Sequence, residues 1–178
     1  MKKMKKNVLV YGTIGGLITA AWVLIAMVIF SHGLDMTLGM ILGYTSMFIA
    51  NIFLVIGVKN YRDKTNGGVI TFGKAFKVGI LITLLASTIY VVNWLIYDYA
   101  TDSRMMESYS KSMHDQLVES GKSATFIAKQ DAEMKEFMVQ YQNPLFKAAM
   151  TYMEILPMGI LFTVITAIAM RRKVPKEG

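Results

Sequence analysis

Cysteine is absent from the 178-residue chain, and histidine occurs only twice. The first absence removes thiolate catalysis, cysteine zinc sites, disulfide staples and a lipid-anchored cysteine together. Charge is also scarce: 17% of residues are Asp, Glu, Lys or Arg, against roughly 25% in soluble domains. What fills the chain instead is apolar, 54% of residues with a mean hydropathy of +0.42. A globule this small cannot enclose that excess while keeping a wettable surface. A soluble enzyme is therefore excluded as the working reading, and no nucleophile, base and orienting group stand in a pattern that suggests hydrolysis.

Four apolar runs, at residues 8–30, 38–58, 78–97 and 145–170, are each long enough to cross about 30 Å of hydrocarbon. Helix is the form in which an open segment satisfies its backbone in lipid, so the fold expected is all-α: an integral membrane four-helix bundle forming a single domain over 1–178. The first run is too long for a secretory signal and lacks its small-residue cleavage site, which predicts an uncleaved span. Orientation follows from Lys and Arg in the short flanking segments. The amino-terminal lysines, the Lys59–Lys77 loop and the tail from Arg171 hold thirteen basic residues against two acidic ones. The opposite side, counting Asp35 and residues 98–144, holds five basic and nine acidic residues. Both ends of the chain are thus expected on the cytoplasmic side. The basic excess reports topology and contact with anionic headgroups, not nucleic acid.

Ser31–Thr37 reads as a tight turn that makes the first two spans antiparallel neighbours. Residues 98–144 read differently, as an extracytoplasmic amphipathic hairpin of two helices, Arg104–Glu119 and Thr125–Tyr141. Gly121 ends the first and Ser123 caps the second. Met105, Met106, Tyr109, Met113 and Leu117 recur at helical spacing on one, and Ile127, Met134, Phe137, Met138 and Tyr141 on the other. Of these, Met106, Tyr109, Met113, Leu117, Met134 and Met138 are the expected interaction surface. Asn143 and Pro144 then supply a cap and a first helical residue for the fourth span.

Glu154 is the main chemical candidate. It lies nine residues into the fourth run, roughly 14 Å from the outer boundary, where an ionised carboxylate is costly. Pro157 follows three residues later and frees the carbonyl of Met153, so the two define a polar notch. Depth alone makes Ser46 and Tyr90 its first candidate partners, with Asn93 and Asn51 second. A proton or substrate relay is one reading of this set, and hydrogen bonding between helices is the plainer one.

Other motifs carry less. Gly68 through Ala75 nearly matches a phosphate-binding loop but has Ala75 where the motif needs a hydroxyl. An interfacial segment fits better, with Phe72 and Phe76 dipping into lipid. Lys59, Arg62, Lys74, Lys77, Arg171 and Arg172 are the expected headgroup contacts. Gly12/Gly16 and Gly39/Gly43 predict close approach of the first two spans. His32 and His114, with Met113 and Asp115 near the latter, are the residues a soft copper site would use, but methionine stripes at helical spacing read as packing or partner surface, and no metal or cofactor is expected.

Several stretches resemble a family catalogued as domain of unknown function 4199, small bacterial membrane proteins found mainly in Bacteroidetes. They are Leu42-Gly-Tyr-Thr-Ser-Met47, Gly57-Val-Lys-Asn-Tyr-Arg-Asp63, Gly67-Gly-Val-Ile-Thr-Phe-Gly-Lys-Ala-Phe76, Asn143-Pro-Leu-Phe146, Glu154-Ile-Leu-Pro157 and Arg171-Arg-Lys173. The resemblance implies the inner membrane of a Gram-negative bacterium, with residues 98–144 in the periplasm, and implies no activity. The functional expectation is a non-enzymatic accessory, interaction or scaffold protein of that membrane, meeting a second copy or another membrane protein. The alternative is a small oligomeric transporter or channel using Glu154 and Pro157.

Overall fold

The computed structural model describes residues 2–31, 36–102 and 104–172, with backbone alone at 26–31, 36–38, 40 and 105. Six helices account for nearly all of it: α1 (Lys2–Ser31), α2 (Met36–Asn60), α3 (Phe72–Ala100), α4 (Arg104–Glu119), α5 (Ala124–Tyr141) and α6 (Pro144–Met170). Four of them, α1, α2, α3 and α6, are long and apolar enough to cross a membrane. No strand forms among the described residues, where β pairing is limited to one bridge between Ile70 and Arg172. The expected all-α membrane bundle is what the chain builds. The turn at Ser31–Thr37 and the residue His32 fall on 32–35, outside the described residues.

The expected boundaries move outward because polar residues can extend a helix past the hydrocarbon. α3 starts at Phe72, before Lys74 and Lys77, where the sequence reading began its span at Val78. Leu145 N–H donates to the Asn143 side chain at 2.9 Å, the cap that opens α6. The break between α4 and α5 has the chemistry expected of it. Gly121 has φ +69°, a conformation that costs a side chain, and the Ser123 hydroxyl accepts from Phe126 N–H at 3.3 Å.

The chain divides into two compact units, Met1–Val91 with Tyr152–Gly178, and Val92–Thr151. In the first, the core is a cluster of Leu54, Val58, Tyr61, Ile70, Ala75, Val78, Ile82 and Ala167. Glycines set the helix spacing. A Cβ on Gly159 would stand 2.4 Å from the Thr83 methyl, and one on Gly79 would stand 2.9 Å from that of Thr163, so α3 and α6 meet at near-backbone distance. α1 and α2 pack together as expected, but not through Gly12 and Gly16. Both face α3, at Leu85 and Ile89, while Gly15 meets Ala50 of α2, and Gly43 and Gly57 meet Trp22 and Tyr11 of α1. Small residues permit close approach without saying which helix approaches. α3, with 44% of its apolar window buried against 28–33% for the other three, is the most enclosed of the four.

In the second unit, α4 and α5 pair as a hairpin. His114 Nδ1 lies 3.0 Å from both carboxylate oxygens of Asp131.

Candidate functional site

Glu154 sits on α6 ten residues beyond Pro144, about 15 Å along the helix. Its neighbours Thr151 and Ile155 are buried, but Glu154 itself is exposed, as is Pro157. Met153 beside it is 69% exposed and Leu161 54%. The carboxyl thus stands on an outward, otherwise apolar face. None of the hydrogen bonds or ion pairs among the described residues involves it. α6 runs through Pro157 without interruption. The missing proline N–H leaves the Met153 carbonyl without its usual donor.

The residues grouped with Glu154 by depth are held elsewhere. Ser46 is buried and donates to the Gly43 carbonyl at 2.7 Å. Asn51 is half-buried and donates to the Met47 carbonyl at 2.8 Å. Tyr90 is buried on α3 and Asn93 half-buried further along it, and each has a partner of its own. The structure brings none of the four into hydrogen bonding with Glu154.

At the other end of the first unit, α2 passes into a single wide turn, Tyr61–Thr65, with π-type spacing. Arg62 is the exception among the expected headgroup contacts. Its side chain is 8% exposed, Nε and Nη2 donate to the Asp63 carboxylate at 2.6 and 3.1 Å, and Nη1 lies 3.3 Å from the Met170 sulfur. A planar guanidinium with several donors suits such a buried, bidentate position. Lys59, Lys74, Lys77, Arg171 and Arg172 are exposed. Lys74 Nζ also donates to the Asn66 side-chain oxygen at 2.6 Å, closing the loop that Gly67 and Gly68 turn at φ +69° and +82°. Ile70 and Arg172 exchange backbone hydrogen bonds at 3.1 and 2.9 Å, stitching this loop to the end of α6. Gly68 N–H is already spent on the Arg62 carbonyl at 2.9 Å, so this glycine loop is held by its own chain rather than open to phosphate.

The second unit contains an ion pair that the sequence reading did not pair. Lys147 of α6 bonds Asp98 of α3, with both side chains almost wholly buried. The Lys147 ammonium also lies 5.0 Å over the Tyr141 ring, and Trp94 Nε1 donates to the Tyr141 hydroxyl at 2.8 Å. One signal was available: a lysine inside an apolar run needs an anion, and Asp98 stands at the end of another run. In the hairpin, Met106, Met113, Leu117, Met134 and Met138 are half-buried and Tyr109 is exposed. Among the described residues no three metal-binding side chains come together.

Four apolar helices joined around a glycine-spaced core define a multi-pass helical membrane protein. The chain belongs to the family described as "Protein of unknown function (DUF4199)", whose sequence model matches residues 10–172. No curated protein and no solved structure matches it.

Proposed function

We propose that this chain is a non-enzymatic accessory protein of the bacterial inner membrane, which works by docking a membrane-spanning helix of another protein against the α6 face bearing Glu154. One observation carries the reading: the carboxyl is exposed on an apolar helix and has no partner among the described residues. At bilayer depth such a group costs about 2.5–3.5 kcal/mol by insertion scales unless it is covered. Charge complementarity then names the occupant, a helix presenting a Lys, Arg, Asn or Gln donor near the midplane. Asp98 and Lys147 satisfy each other and cannot serve. In the orientation read from the basic residues, Lys59, Lys74, Lys77, Arg171 and Arg172 meet anionic headgroups on the cytoplasmic side. The α4–α5 hairpin then lies in the periplasm.

Photo-reactive residues at Met153 and Leu161 test the docking, with Ile49 on the exposed face of α2 as control. The expected result is a defined adduct with one membrane protein from the α6 positions only, lost in Glu154→Leu and retained in Glu154→Gln. An adduct of twice the chain's own mass would favour the oligomeric transporter, and equal labelling from Ile49 would sink the docking face. The chain lacks native cysteine, so orientation is read from single cysteines. Ser112→Cys should react in intact spheroplasts with an impermeant thiol reagent and Thr65→Cys should not.

A further inference from the structure

Between its four long helices the first unit carries polar but uncharged side chains. A narrow cavity of about 30 Å³ lies among α1, α2, α3 and α6, and Thr19, Asn51, Thr83 and Ser87 are among the residues lining it. Hydroxyls on apolar helices commonly satisfy themselves at the carbonyl one turn back. Thr45, Thr88 and Thr151 do so at 2.7–2.8 Å, and Thr19 reaches the Gly16 carbonyl at 3.0 Å. Ser87 does not. It is 2% exposed, and its hydroxyl makes no hydrogen bond among the described residues. Asn51 uses one amide proton on the Met47 carbonyl, which leaves its carbonyl oxygen and second proton unbonded.

We infer that this cavity is a water site, in which one or two ordered waters bridge Ser87 and Asn51 inside the bundle. The size selects the ligand first, since a water needs roughly 10–15 Å³ of this volume. The lining selects it again. Among the described residues no Asp, Glu, Lys or Arg borders the cavity, so an ion would lose its hydration without a countercharge, at a cost of several kcal/mol. An apolar occupant would leave Ser87 and Asn51 unpaired. A water supplies both donor and acceptor, and satisfies them together.

The test uses the full chain in lipid nanodiscs with carbon-13 methyl labels on alanine and isoleucine. Water-selective cross-relaxation should reach the methyls of Ala86, Ile82 and Ile155, all of which line the cavity. The transfer should fall at least two-fold in Ser87→Ala and vanish in Ser87→Ala/Asn51→Leu, with helix content unchanged by circular dichroism. Should the double variant misfold, the single Ser87→Ala change decides alone, and undiminished transfer in it overturns the assignment. Absence of transfer in the natural chain overturns it too, as do xenon-induced shifts at these methyls, the mark of a dry cavity. Exchanging sodium for choline should change nothing, and a dependence on sodium would make the ligand a cation instead.

Discussion

Lys147 and Glu154 lie seven residues apart on one apolar helix, and the chain treats them in opposite ways. Lys147 is buried, bonded to Asp98 and roofed by the Tyr141 ring. Glu154 is exposed and has no such set. A charge matched within its own chain is part of the architecture, and its removal is a folding event. A charge left on an apolar face directs attention outward, because none of the described residues matches it.

The largest effect should come from splitting the matched pair. Lys147→Met leaves Asp98 buried without a countercharge and should lower stability by about 3–5 kcal/mol, read by unfolding in detergent. Asp98→Leu/Lys147→Met should recover most of that loss. If the double variant is as unstable as the single one, the pair is not the unit of stability. Next comes the inward face of α6. Gly159→Ala places a methyl 2.4 Å from the stiff Thr83 side chain, and overpacking of this kind costs about 1–3 kcal/mol. Relief by Thr83→Ala would locate the strain in that contact, and a thermal midpoint unchanged by Gly159→Ala would show that α3 and α6 have room to part.

Trp94→Phe removes the indole donor to Tyr141, at 2.8 Å in the natural chain, and should cost about 1 kcal/mol. Glu154→Leu should be the mildest for the isolated chain, within about 0.5 kcal/mol of the natural stability as for other exposed positions. A drop of 2 kcal/mol or more would put Glu154 alongside Lys147 as an internal structural group and erase the contrast.

Much of the fold was legible because its signals are local. The Asn143 cap, the Gly121 break and the Ser123 cap are each decided by a few adjacent residues, and each forms as expected. Contacts between helices were less so. Gly12 and Gly16 were read toward α2 and face α3, since small residues carry no mark of their partner. Arg62 was grouped with surface basic residues on the strength of its position in a basic loop. Its burial depends on Asp63 beside it and Met170 more than a hundred residues away. Depth along each helix ranks the partners of Glu154 by distance alone and carries nothing of the direction in which each residue points, and the four candidates turn to their own bonds.

The sequence by itself determined that the chain crosses a membrane four times as helix, because the transfer of about twenty consecutive apolar residues into hydrocarbon is additive along the chain. The tertiary structure alone decided which side of each helix turns inward. On a span that is apolar all round, lipid and protein interior are nearly equivalent solvents, so hydrophobicity gives no preference. Close packing at glycines and the matching of buried polar groups make that choice, and they set Lys147 inside and Glu154 out.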